Sequence, residues 1–264
     1  MKVENKVILV TGGGSGMGRE LVLQLIAKGA KVITIDINAA ALQETLELAG
    51  NNASSVKTFL IDITDRRSVE ELVPTAISQF GVVDGIINNA GIIQPFIKLN
   101  DLSFETIERV ININLYGTLY TTKAFLPHLI SRPEAHIVNI SSMGGFLPVP
   151  GQTIYGATKA AVKLLTEGLN SELKNTKVHV TVVFPGAVRT NIMGNSGLDN
   201  AASMDDPRAA RITSAQQAAQ VIIRGMESNQ YRVLVGKDAK IMDFLYRLNP
   251  KAAAAFISKR MKRV

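Results

Sequence analysis

The chain contains no cysteine and no tryptophan, and only three histidines and 5% aromatic residues in a length of 264. Without thiols there is neither a disulfide framework nor a thiolate metal site. His128, His136 and His179 are scattered, form no ligand-spaced cluster with Asp or Glu, and stand in no hydrolase pattern with a serine. They read as structural or surface residues, and no metal is expected. No uninterrupted apolar run approaches the ~18 residues of a spanning helix. The charged start Met1-Lys2-Val3-Glu4-Asn5-Lys6 lacks the apolar core of a signal peptide. A cytoplasmic protein is the expectation.

What is present argues for one α/β domain over residues 1–264. At 46% hydrophobic the chain can bury a single large core. Val/Ile-rich runs of strand length recur at 6–11, 31–36, 56–61, 83–88, 135–141, 177–184 and 232–235, separated by segments of helical spacing. That alternation predicts a parallel sheet of about seven strands with helices on both faces and ligands at the carboxyl ends of the strands. The longest stretch without periodicity, 187–213, is a candidate substrate lid.

Two motifs carry chemistry. Tyr155 and Lys159 are four residues apart, so on a helix they share a face, and Ser142 lies thirteen residues upstream. An ammonium beside a phenol is expected to lower its pKa from ~10 by roughly one to three units, toward general acid/base use near neutrality. The second motif, Thr11-Gly12-Gly13-Gly14-Ser15-Gly16-Met17-Gly18, separates the apolar run Val7-Ile8-Leu9-Val10 from a helical pattern. Glycines allow a tight turn and close ligand approach, and the amides opening the helix suit a pyrophosphate. Its Gly-x-x-x-Gly-x-Gly spacing departs from the Gly-x-Gly-x-x-Gly fingerprint.

Together these residues resemble the short-chain dehydrogenase/reductase family, in its single-domain branch. In order, the chain also carries Asp62-Ile63, Asn88-Asn89-Ala90-Gly91, Asn114, Asn139-Ile140-Ser141-Ser142, and Pro185-Gly186 followed by Val188 and Thr190. The resemblance covers residues from about 6 to 190. It implies a Rossmann-type doubly wound fold and a Ser142-Tyr155-Lys159-Asn114 catalytic set. Tyr155 would be the acid/base, Ser142 would hold the substrate oxygen, Lys159 would assist Tyr155 and bind the nicotinamide ribose, and Asn114 would complete a water-linked relay. It also implies that Asp62 and Ile63 flank the adenine, that Asn89, Ala90 and Gly91 meet the adenosine ribose, and that Thr190 meets the carboxamide. A homo-oligomer, dimer or tetramer, is expected.

Asp36 ends the second strand, where a carboxylate can bind ribose hydroxyls and repel a 2′-phosphate. Ser15, Ile37 and Asn38 offer no cation at the positions where NADP-preferring relatives place one. NAD is therefore expected over NADP, and Asn38 is the better-placed cap for the helix beginning near Ala39. Segments 92–96, 143–148 and 188–193, which the family places around the substrate, are mostly apolar. They suggest a secondary alcohol or ketone with a hydrophobic body. The other readings are an NADP(H)-dependent carbonyl reductase and a non-catalytic nucleotide-sensing or interaction protein.

The net charge of +7 resides entirely in 232–264, which holds nine Lys/Arg against two Asp/Glu. No aromatic or recognition motif accompanies it, so nucleic acid is not an expected partner. The basic segment 238–264 reads as a solvated helix at an oligomer edge in preference to a membrane-surface contact. Pro250 interrupts its helical spacing.

Overall fold

The computed structural model describes residues 1–198 and 212–261. Its strands are β1 (Val7–Thr11), β2 (Lys31–Asp36), β3 (Val56–Leu60), β4 (Gly85–Asn88), β5 (Ala135–Ile140), β6 (Val178–Pro185), β7 (Val188–Arg189), β8 (Thr213–Ser214) and β9 (Arg232–Val235). Seven form one all-parallel sheet in the order β3-β2-β1-β4-β5-β6-β9, while β7 and β8 make a small separate ribbon. All seven expected strands are present, with ends shifted by no more than a residue or two. The fold is the doubly wound α/β sheet that the sequence pattern predicts.

Alternation along each strand explains the two layers of core. Ile8 and Val10 of β1 face one side with Val32, Val138 and Val183, under α1 (Gly16–Ala27) and α8 (Ala215–Glu227). Val7 and Leu9 face the other with Ile33, Ile86 and Ile137, under α3 (Arg66–Phe80), α5 (Thr118–Ile130) and α6 (Thr153–Glu172). Burial on both faces is why these strands read as continuous Val/Ile runs. Around this frame lie α2 (Ala39–Leu48), α4 (Phe104–Ile111) and the short α7 (Ile192–Asn195).

The C-terminal segment forms α9 (Lys237–Leu248) and α10 (Pro250–Met261), with Pro250 opening α10. A first helical turn tolerates proline because its N–H would be unpaired there anyway. Chain order reverses between β1 and β4, which opens a crevice at their carboxyl ends. Of the candidate lid, 188–189 pairs with 213–214 and 192–195 is helical, while 199–211 lie outside the described residues.

Candidate active site

The glycine turn lies in that crevice. Gly12 and Gly16 have φ of +70° and +51°, a region that glycine alone enters freely. A Cβ on Gly18 would sit 1.9 Å from the Gly12 carbonyl oxygen, so the turn closes this tightly only without side chains. Ser15 is the N-cap of α1 but its side chain makes no capping bond, and its Oγ instead accepts from Asn195 Nδ2 at 2.8 Å. The opening amides of a twelve-residue helix thus receive no side-chain acceptor, as a pyrophosphate site requires. The cradle fits a dinucleotide.

β4 is stitched to this turn by Thr11, whose Oγ1 accepts from Asn89 N at 3.0 Å and Ala90 N at 2.9 Å. Asn89 Nδ2 donates back to Thr11 O at 3.0 Å. Thr190 approaches from the other side, its Cβ 3.2 Å from where a Gly16 Cβ would stand. Asp36 accepts from Gly14 N at 2.9 Å and Asn38 N at 3.1 Å, leaving lone pairs on both oxygens. Asn38 caps α2 through Ala41 N at 3.0 Å, and Ile37 is exposed. Asp62 is exposed and bonds Thr64, whereas the side chain of Ile63 is buried against Gly117.

Ser15, Ile37 and Asn38 offer no cation, yet one stands beside the turn at another position. Arg19 Nε donates to Gly14 O at 3.0 Å and to Thr45 Oγ1 at 3.1 Å, and its guanidinium pairs with Glu44. Position 19 lies on α1, one turn beyond Ser15 and away from positions 37 and 38.

The residues expected to transfer a proton converge next to the crevice. Ser142 follows β5 and accepts from Gly144 N at 3.0 Å. A Cβ on Gly144 would touch both Tyr155 Cε1 at 3.4 Å and Ser142 Oγ at 3.5 Å, so the two side chains flank one open position. Ser141 is turned away and donates to Lys159 O at 2.7 Å. Lys159 lies 5.9 Å from the Tyr155 ring centroid, and its Nζ donates to Ile140 O at 3.0 Å.

Asn114 sits in the π-helical turn Asn112–Gly117 joining α4 and α5, fully buried. Its Oδ1 accepts from Ile92 N at 2.9 Å, and its Nδ2 donates to Ile92 O at 2.9 Å and to Thr158 Oγ1 at 3.2 Å. It meets Lys159 across Gly91, where a Cβ would be 3.0 Å from Asn114 Oδ1 and 3.2 Å from Lys159 Nζ.

The expected direction of the Tyr155 shift is reversed. Burial pushes the phenol above 10.0, opposed by its hydrogen bond with Ser142. Burial also lowers Lys159 from 10.5 to about 8, because desolvation disfavours the ammonium. The ligand-free tyrosine therefore keeps its proton at neutral pH. The three histidines serve structure: His136 bonds Thr181 at 2.8 Å, His128 accepts from Val83 N at 3.1 Å, and His179 lies 3.3 Å from Asn229. Among the described residues no group of three or more His, Cys, Asp or Glu is placed to hold a metal.

The model for short chain dehydrogenases matches residues 6–201. The chain belongs to the short-chain dehydrogenase family. This short-chain dehydrogenase is 38% identical over 253 residues to a putative oxidoreductase, SadH, of Mycobacterium tuberculosis, covering 93% of this chain and 91% of that one. Among solved structures it is similar to a short chain dehydrogenase/reductase from Burkholderia phymatum in complex with NAD, with a TM-score of 0.85, 25% identity and 96% of each chain covered. It is also similar to a 3-ketoacyl-(acyl-carrier-protein) reductase from Brucella melitensis complexed with NADH. There the TM-score is 0.78, with 26% identity over 89% of this chain and 97% of that one.

Two supports of this dehydrogenase's site escape sequence reasoning. Gln94, in a segment expected to line the substrate, is fully buried instead. Its Oε1 accepts from Ile154 N at 2.9 Å and Tyr155 N at 3.0 Å, its Nε2 donates to Gly151 O at 3.0 Å, and its carbonyl accepts from Gln152 Nε2. It caps α6 from sixty residues away, where no local signal announces it. Gln94→Ala removes that acceptor from two half-buried amides and should cost about 2 kcal/mol, lowering Tm by roughly 5 °C. A melting temperature within a degree of wild type would show that α6 does not depend on it. The other support is Asp238 of α9, which accepts from Ala187 N at 2.7 Å and braces the Gly186 turn that leads through Val188 to Thr190.

Proposed function

We propose that this oxidoreductase moves a hydride between NAD(H) and a secondary alcohol or ketone with a hydrophobic body. The observation that carries the reading is the convergence of Ser142, Tyr155 and a buried Lys159 beside a glycine cradle built for a dinucleotide. The bound nicotinamide would supply or accept the hydride. In the direction of reduction Tyr155 gives its hydroxyl proton to the carbonyl oxygen, and in oxidation it takes the proton back. Ser142 bonds the same oxygen and fixes its position. Lys159 keeps a positive charge near the phenol, favouring the phenolate left after proton transfer, and meets the nicotinamide ribose. Asn114 holds the Gly91–Ile92 backbone against Lys159 so that a water-linked relay can re-protonate Tyr155. Gly12, Gly14, Ser15, Gly16, Met17 and Gly18 receive the pyrophosphate, Asp36 and Ile37 the adenosine end, and Pro185, Gly186, Val188 and Thr190 the nicotinamide end. The decisive measurement is a panel of secondary alcohols and ketones followed by nicotinamide fluorescence. No turnover with any of them while NADH still binds would leave a nucleotide sensor as the reading.

Cofactor choice follows from the two charges at the turn. Asp36 offers lone pairs to a ribose diol, and Glu44 engages Arg19, the cation a 2′-phosphate would need. NAD(H) should exceed NADP(H) by at least tenfold in kcat/KM, a difference of ~1.4 kcal/mol, and Asp36→Ala should shrink that margin. Equal rates in the unmodified chain would instead favour the NADP(H)-dependent carbonyl reductase, with Arg19 released from Glu44 to hold the phosphate. Association into a dimer or tetramer is part of the proposal, and light scattering counts the chains directly.

A further inference from the structure

Helix α9 carries apolar residues on two faces where a helix at a protein surface needs only one. Ala239, Met242 and Tyr246 turn inward, Met242 and Tyr246 packing with Phe146 and Leu147 shortly after Ser142. Ile241, Phe244, Leu245 and Leu248 recur at i, i+3, i+4 and i+7 on the outer side. They are exposed by 59%, 62%, 37% and 67%. Phe256 adds an exposed ring on α10. A solvated helix gains nothing from such a stripe, since water penalises each apolar side chain left in it.

Among the described residues of α9 and α10 the outward charges have one sign. Lys237, Lys240, Lys251, Lys259 and Arg260 are exposed. Both acidic residues of the pair are tied inward, Asp238 to Ala187 N and Asp243 to Arg232 and Arg247. An apolar stripe bordered by exposed cations complements a surface that is apolar beneath and anionic at its boundary. A second copy of the same stripe would instead bring like charges together. Neither helix is long and apolar enough to cross a membrane, so the fit is to the plane of the surface.

We infer that the outer face of α9, with the cations of α9 and α10, docks on an anionic lipid surface. If the proposed chemistry holds, this sets the apolar source of substrate behind the wall formed by Met143, Phe146 and Leu147; the docking itself does not depend on that chemistry.

The full chain should sediment with phosphatidylcholine vesicles containing about one-third phosphatidylglycerol at least tenfold more tightly than with phosphatidylcholine alone, and less so as salt rises. The double variant Ile241→Glu/Leu248→Glu should lose at least tenfold of that binding while its Tm and its NADH titration stay at wild-type values. If that variant does not fold, Lys240→Glu/Lys251→Glu should show the same loss. No preference for the anionic vesicles overturns the inference, as does equal binding by a folded variant. So does a dimer that Ile241→Glu/Leu248→Glu converts to monomer while the unmodified chain ignores vesicles, since a second copy would then cover the stripe. Failure of the unmodified chain to bind NADH would count against the proposed function alone.

Discussion

Tyr155→Phe should leave folding and NADH affinity close to wild type while lowering kcat by a factor on the order of 10² or more, equivalent to ~2.7 kcal/mol of transition-state stabilisation. The substitution removes one oxygen from a half-buried ring and leaves α6 and its cap at Gln94 untouched, because Gln94 bonds the Tyr155 backbone. What it removes is the phenol that flanks the open position beside Gly144 and that, in the proposed mechanism, exchanges its proton with the substrate oxygen. Ser142 can bond the oxygen but is far too weak an acid. Steady-state kinetics with the best substrate of the panel, together with a fluorescence titration of NADH, separates binding from turnover. Retention of more than a tenth of wild-type kcat takes the acid/base role away from Tyr155.

The second large effect is on stability. Lys159 has a folded-state pKa of about 8 against 10.5 when unfolded, caused by burial. The folded state therefore holds fewer protons than the unfolded state between those values, and stability from this group rises with pH across that window. Below pH 8 the buried ammonium imposes its full penalty; by pH 10 the folded protein has shed the proton while the unfolded chain has largely kept it. The ligand-free wild type should gain roughly 2 to 3 kcal/mol relative to Lys159→Met between pH 7 and pH 10, from the ~1.4 kcal/mol carried by each pKa unit. Comparing the same two proteins at both pH values cancels the constant effect of losing the Lys159 bond to Ile140 O. Denaturant unfolding of both proteins measures it. A difference independent of pH would mean that Lys159 titrates in the folded protein as it does in water. The penalty is the kind expected of a charge kept buried for function at the expense of stability.

Charge, strand periodicity and glycine placement are local properties, and the sequence by itself determined what depends on them. The seven strands were legible because residues buried on both faces of a parallel sheet leave continuous Val/Ile runs. The glycine turn and the pairing of Tyr155 with Lys159 were legible because a few neighbouring positions define them. Asn38 as the cap of α2 was legible for the same reason. Tertiary structure decided what depends on distant contacts and on burial. Gln94 looked like a substrate contact and became the cap of α6, because its partners lie about sixty residues along the chain. The phenol shifted upward because desolvation outweighs its hydrogen bond with Ser142, a balance set by how much protein surrounds the group. Arg19 reached the turn because α1 and α2 bring Gly14 and Glu44 together. The C-terminal segment read only as a run of positive charge. Folding turned Asp238 and Asp243 inward and placed α9 against the wall beside Ser142. Which face of that helix stays bare, and of which sign, is fixed by packing alone.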